Sequence, residues 1–272
     1  MDFSQLTDIA IKAALAAGKI IQKHLDEDVA VKQKEGGSSY ASQVVTAVDR
    51  ACEKAILAHL FPTCKTYDLG ILSEETDDDS SRFEKAYFWC IDPMDGTLAF
   101  INKRPGFSVS IALIAKDGTP CIGVVYDPTR DILYQATLGF GAFRNGTPWI
   151  IENTNSFITY VTDRKLKDTP RAEEIEAILN EKAEQLSLTG IKEIDGSGSV
   201  LNAILVLENG PACMLKFPKK EIGGGSIWDY AATACIFKEL GLPATNFVGE
   251  RLDLNQKDGT FMNLEGVYFA NY

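Results

Sequence analysis

The chain has 272 residues, 45% of them hydrophobic and 24% charged, with a formal net charge of −11. This is the composition of a soluble globular protein, and the acidic balance argues against a nucleic-acid polymer as partner, since such binders present a basic face. No apolar run approaches the roughly 18 residues of a membrane span, and the start Met1-Asp2-Phe3-Ser4 lacks the basic, apolar layout of a signal peptide, which points to the cytoplasm.

Phe3, Leu6, Ile9, Ala13, Ala17, Ile20, Ile21 and Leu25 recur at helical spacing and predict an amphipathic helix over 3–25. Residues 29–34 alternate like a strand, and Gly36-Gly37-Ser38-Ser39 reads as a loop. A second helix is expected over 46–60, stopping before Pro62. Apolar runs follow at 69–72 and 86–91. Strands are then expected at 107–115, 120–126, 132–136 and 142–144, with turns at Lys116-Asp117-Gly118 and Asp127-Pro128-Thr129-Arg130. Beyond about residue 155 the pattern changes to strand 157–162, helix 171–186, helix 199–208 after a Gly-Ser-Gly-Ser turn, strand 212–217 and helix 226–240. Without repeats or a linker, two lobes are expected, 1–155 and 156–272. The first would carry most of the candidate ligands.

The chain has only two histidines, His24 and His59, and six cysteines with no C-x-x-C pair. A Ser-His-Asp hydrolase or a histidine-rich zinc site is therefore disfavoured, and scattered thiols fit a reduced compartment. Chemistry here has to rest on carboxylates, hydroxyls and a hard metal ion.

The segment that answers this description is Trp89-Cys90-Ile91-Asp92-Pro93-Met94-Asp95-Gly96-Thr97. An apolar strand delivers Asp92, Pro93 is expected to turn the chain out of the ladder, and Asp95 follows closely enough for both carboxylates to aim at one point. Gly96 permits close backbone approach, and Thr97 opens a short helix whose unpaired N–H groups can hold an anion. Oxygen-only ligands favour Mg²⁺ or Mn²⁺ over zinc. The same spacing also suits an Asp-Pro turn with a helix cap. Glu74 ends another apolar run and reads as a ligand or as part of the acidic loop Asp77-Asp78-Asp79. Asp229 in Ser226-Ile227-Trp228-Asp229 and Asp49 in Thr46-Ala47-Val48-Asp49 each read as catalytic groups or as capping-box residues.

Taken in order, Ser73-Glu74-Glu75, then Asp92-Pro93-Met94-Asp95-Gly96-Thr97, then Ile227-Trp228-Asp229 resemble the inositol monophosphatase superfamily. Ser-Val-Ser-Ile-Ala-Leu, Gly-Val-Val-Tyr and Gly-Phe-Gly-Ala-Phe within 106–146 extend that likeness across nearly the whole chain. The resemblance implies an α/β fold, a layered αβαβα sandwich. It implies that Glu74, Asp92, the Met94 carbonyl, Asp95 and Asp229 hold two or three Mg²⁺ ions. By the same likeness Asp49, Glu74 and Thr97 position an attacking water, and Asp95 with the N–H groups of Gly96 and Thr97 cradles the phosphate. The metals would reverse a field that otherwise repels a phosphate dianion. The implied activity is Mg²⁺-dependent hydrolysis of a small phosphorylated metabolite, lithium-sensitive, with a homodimer as the family's frequent assembly. A scaffold of the same fold without turnover is the non-enzymatic alternative.

For the substrate, Ser73-Glu74-Glu75, Ile227-Trp228-Asp229, Leu252-Asp253-Leu254 and Phe261-Met262-Asn263 look like the bacterial bisphosphate nucleotidases. They lead to adenosine 3'(2'),5'-bisphosphate, with inositol 1-phosphate as alternative. Those enzymes carry lysines after Asp-Gly-Thr and after the Gly-Ser turn, where this chain has Leu98 and the segment Val200-Leu201-Asn202-Ala203. Lys216, Lys219 and Lys220 are candidates to replace them, and Ser199, Lys216 and Lys220 are the expected substrate contacts.

Overall fold

The computed structural model describes residues 1–25, 31–33 and 44–272. The loop expected at 36–39 lies outside the described residues. So do the ends of the strand expected at 29–34, whose centre forms β1 (Val31–Gln33), paired antiparallel with β2 (Val44–Thr46).

Helix α1 (Phe3–Lys23) starts where the Asp2 carboxylate accepts the Ser4 and Gln5 N–H groups at 2.9 and 3.2 Å. Its buried stripe is Leu6, Ala10, Ala13, Ala14, Ala17 and Ile21. Helix α2 (Ala47–Tyr67) opens with the Thr46–Asp49 capping box, but it does not stop before Pro62. An interior proline costs about 3 kcal/mol, yet the turn beyond it is held by tertiary partners. Trp89 Nε1 donates to Thr63 Oγ1 at 2.9 Å, and the Thr63 hydroxyl donates to the Leu60 carbonyl at 2.6 Å. The helix ends instead at Asp68, in the left-handed region with φ 54°.

A seven-stranded sheet follows in chain order: β3 (Gly70–Ser73), β4 (Tyr87–Asp95), β5 (Ser108–Ala115), β6 (Pro120–Asp127), β7 (Ile132–Thr137), β8 (Gly141–Arg144) and β9 (Thr147–Pro148). Only the β3–β4 pair is parallel among these neighbours. Helix α3 (Thr97–Ile101) follows β4. The second sheet has five strands, β10 (Ile158–Thr162), β11 (Ile191–Asp195), β12 (Ala212–Lys216), β13 (Ala244–Thr245) and β14 (Val267–Asn271), in the order β11-β10-β12-β14-β13. Three further helices are α4 (Ala172–Gln185), α5 (Ser199–Glu208) and α6 (Ile227–Glu239).

The apolar clusters define the layers. Leu6, Ala13, Ile56 and Leu60 of α1 and α2 pack on Trp89, Ile91, Val109 and Ile111 of the large sheet. The opposite face, with Phe88, Cys90, Ala112 and Ile114, packs on α5 and α6, which also cover Val161, Met214 and Phe269 of the second sheet. Helix α4 closes the outer side through Ile175 and Leu179. The result is an αβαβα sandwich. Strands β11 and β14 carry no signal in the sequence reading; β11 is an edge strand bearing Lys192, Glu193 and Asp195, too polar to stand out. All six cysteines are free. No helix among the described residues is long and apolar enough to cross a membrane.

Candidate metal centre and active site

Asp92 and Asp95 are three positions apart, an odd step that on a regular strand points two side chains to opposite faces. Their pairing on β5 removes that obstacle. Asp92 pairs with Ser110 and Asp95 with Ser108, so β4 carries an extra residue between them. This is a bulge, and it returns both carboxylates to the face that packs on α5 and α6. Contrary to the expectation that Pro93 turns the chain out of the ladder, the chain stays in the sheet there. The strand continues to Asp95, with Pro93 inside the bulge, where no ladder N–H is required.

Each carboxylate is held. Asp92 Oδ1 accepts the Met94 N–H at 3.0 Å. Asp95 meets the N-terminus of α5, Oδ1 accepting from Ser199 N at 3.2 Å and Oδ2 from Val200 N at 2.8 Å. Asp229 stands in the first turn of α6 and accepts the Ser226 N–H at 2.5 Å, completing a capping box. It also lies in the cluster, since Asp92, Asp95 and Asp229 place carboxylate oxygens within 4.8 Å of one another. The cap and ligand readings of Asp229 are thus compatible. Glu74 follows β3, its N–H on the Ile91 carbonyl at 3.1 Å, and it acts on Asp92 through its charge and a side-chain hydrogen bond.

Burial, then the charges of Glu74, Asp95 and Asp229, push the Asp92 carboxyl well above the usual range. Asp95 is raised by burial and by Asp229 against the pull of the Val200 N–H. Asp229 is pushed up to about 6 by burial, the Ser226 N–H opposing. Without a cation, these groups are driven to hold protons.

Beside the cluster, the Thr97 hydroxyl donates to Asp49 Oδ1 at 3.0 Å and faces the Met94 carbonyl at 3.2 Å. Asp49 Oδ2 accepts the Thr46 N–H at 2.7 Å and its hydroxyl at 2.5 Å. So the cap of α2 also orients Thr97. Burial raises the Asp49 carboxyl, with the Thr46 hydrogen bonds opposing. Gly96, at φ 87°, starts α3, and a Cβ there would lie 2.4 Å from the Gly106 carbonyl oxygen.

Two observations test whether a divalent cation suits this place. The donors are all oxygens, the set that hard cations take. Ser108 Oγ, opposite Asp95 on β5 and fully buried, has no hydrogen-bond partner. The residues fit such an ion.

The expected substrate contacts lie on the α5 side. Ser199, buried, opens α5, and its Oγ accepts from Lys216 Nζ at 2.9 Å. Lys216 ends β12 and pairs with Asp163 at 2.9 Å. Burial opposes its charge, but Asp163 and Tyr230 outweigh that and hold the ammonium above its ordinary range. Lys220 is exposed on the segment after β12. Sequence reasoning missed Asp163, Gly198 and Ser108. Ser108 opens the Ser-Val-Ser-Ile-Ala-Leu segment and Gly198 lies in the Gly-Ser-Gly-Ser turn, but neither segment marks its residue as part of a site, and only the packing of β5, β10 and α5 brings the three here.

The chain matches the inositol monophosphatase family over residues 2–270. It is similar to Nus factor SuhB of Escherichia coli K12, 38% identical over 141 residues, a match spanning 52% of this chain and only about half (50%) of that relative's length. It is also similar to inositol monophosphatase 3 of Solanum lycopersicum, 31% identical over 265 residues, covering 93% of this chain and 90% of that one. Among solved structures it is similar to CysQ from Bacteroides thetaiotaomicron, with a TM-score of 0.74, 26% identity and 98% of both chains covered. The match over almost the whole chain, on an αβαβα frame with its acidic cluster at the start of two helices, makes this protein a member of the inositol monophosphatase family, a family of metal-dependent phosphatases.

Proposed function

We propose that this protein is a Mg²⁺-dependent phosphomonoesterase acting on a small phosphorylated metabolite in the cytoplasm, as a homodimer. The observation that carries this reading is the joint placement of Asp92, Asp95 and Asp229 beside the Thr97–Asp49 pair. Glu74, Asp92, Asp95, Asp229 and the Met94 carbonyl are the groups to hold two or three Mg²⁺ ions, which supply positive charge for the entering phosphate and acidify water. The Thr97 oxygen, with its proton given to Asp49, has lone pairs free to accept from the attacking water. Asp49, raised by burial, is suited to take up a proton. The N–H groups of Gly96 and Thr97 support the phosphoryl oxygens. Attack in line on phosphorus needs no covalent enzyme intermediate.

The leading substrate is adenosine 3'(2'),5'-bisphosphate, supported by Ser73-Glu74-Glu75 and Ile227-Trp228-Asp229. Inositol 1-phosphate is the second reading, favoured by Leu98 and the segment Val200-Leu201-Asn202-Ala203, where the nucleotidases carry lysines. Phosphate release from both esters and from fructose 1,6-bisphosphate, with and without Mg²⁺, tests the proposal. The expected ranking by kcat/KM puts the adenosine ester first. Release from every ester after exhaustive chelation refutes the metal-dependent mechanism, and release from none with Mg²⁺ present refutes the enzyme.

A further inference from the structure

Asp49 and Glu53 lie one helical turn apart on α2, so both side chains leave the same face of the helix. From it Asp49 reaches Thr97, while Glu53 reaches the residues around Glu74. Glu53 is 8% exposed and lies outside the cluster of Asp92, Asp95 and Asp229. A buried acidic group needs partners that offset the loss of water. Those of Glu53 are two hydroxyls, its Oε1 accepting from Ser73 Oγ at 2.5 Å and from Thr76 Oγ1 at 3.0 Å.

The two donors flank Glu74 and Glu75. Ser73 and Thr76 face each other in an antiparallel bridge, so residues 73–76 form a tight turn with the two glutamates at its tip. One oxygen of Glu53 thus ties both ends of the turn to α2. The Glu74 N–H, on the Ile91 carbonyl at 3.1 Å, ties its middle to β4. The four carboxylates assigned to the metal ions are launched from different supports. Asp92 and Asp95 lie on β4 and Asp229 in the first turn of α6, whereas Glu74 stands on the turn after β3. Groups on strands and helices are placed more accurately than groups on loops, and a glutamate has more torsions to fix than an aspartate. The aim of Glu74 therefore depends on what holds its backbone. Ser73, 3% exposed, gives its hydroxyl to Glu53, so this hold is itself sheltered from water.

We propose that Glu53 is a positioning residue of the metal centre, which clasps the turn at 73–76 through the Ser73 and Thr76 hydroxyls and so keeps Glu74 aimed at the site. Glu53 is not itself a ligand, and its whole effect on metal binding passes through Glu74. One face of α2 then sets two parts of the site, Thr97 through Asp49 and Glu74 through Glu53. This inference rests on the reading of Glu74 as a Mg²⁺ ligand given above.

The test titrates Mg²⁺ into metal-free protein by isothermal calorimetry, without substrate, with circular dichroism to check the fold. Glu53→Met keeps the side chain's length and bulk but offers the hydroxyls no oxygen. It should weaken Mg²⁺ binding by about 10–100-fold, the range for losing a group that orients a metal ligand. Glu53→Gln keeps an acceptor in the same place and should restore most of the affinity. In a Glu74→Gln background, Glu53→Met should add no further loss, because its effect passes through Glu74. If Glu53→Met fails to fold, Ser73→Ala and Thr76→Val remove the donors one at a time, and each should show part of the same weakening. Mg²⁺ affinity left unchanged by Glu53→Met, or by both donor variants, overturns the assignment. So does Glu53→Gln binding as weakly as Glu53→Met, or an equal further loss from Glu53→Met in the Glu74→Gln background. A wild type that binds no Mg²⁺ refutes the metal-dependent reading itself and removes the basis of this inference.

Discussion

Gly198→Ala should disable the site without unfolding the protein. Gly198 caps α5 with φ −63° and ψ 166°, a conformation open to any residue, so its backbone does not require glycine. What requires it is Asp95. A Cβ at position 198 would lie 2.3 Å from Asp95 Oδ2 and 2.5 Å from Oδ1 and Cγ. That is about 1 Å short of ordinary contact, and a misplacement of about 1 Å at a reacting centre costs about 10²-fold in rate. The carboxylate cannot retreat and keep its hydrogen bonds to Ser199 and Val200, each worth about 1.5–3 kcal/mol for a charged acceptor. The assay is kcat as a function of Mg²⁺ concentration, beside a thermal melt. A fall of about 100-fold in kcat and a higher Mg²⁺ concentration at half-maximal rate are expected, with a folded protein by circular dichroism. Activity within threefold of wild type at the same Mg²⁺ concentration would show that Asp95 is not held where chemistry needs it, and the reasoning would fail.

Thr97→Ala should lower kcat by about 10²–10⁴, the range for losing proton-transfer assistance, while Thr97→Ser, which keeps the hydroxyl facing Asp49, retains substantial activity; equal losses in both variants would point to packing instead. Asp229→Asn should lose turnover, and it also changes the pH dependence of stability in metal-free protein. The Asp229 pKa is 3.8 as an ordinary carboxyl and about 6 in the fold, so the folded state holds the proton more tightly and stability falls as pH rises through this window. The Asn variant lacks that decline, so its melting temperature relative to wild type should climb from pH 4 to pH 7 without metal. A difference that stays flat across the window would contradict a buried, unneutralised Asp229.

The sequence by itself determined most of the helices, the meander of strands from Ser108 to Arg144 and the identity of the carboxylates, because apolar periodicity and the Asp92–Thr97 segment are local signals. Its errors arise where a local rule meets a tertiary partner. Pro62 ends a helix by propensity, but Trp89 and Thr63 hold the next turn in place. Pro93 turns a chain by habit, but pairing with β5 absorbs it as a bulge. That bulge is the decisive step for the site, since it alone puts Asp92 and Asp95 on one face, and it is visible only as a mismatch of register between two strands. For Asp49 and Asp229 the sequence offered cap and site as alternatives, and only the structure shows that each completes a cap and also meets a second partner. A capping box is readable from four residues, whereas the second partner of each carboxylate comes from elsewhere in the chain.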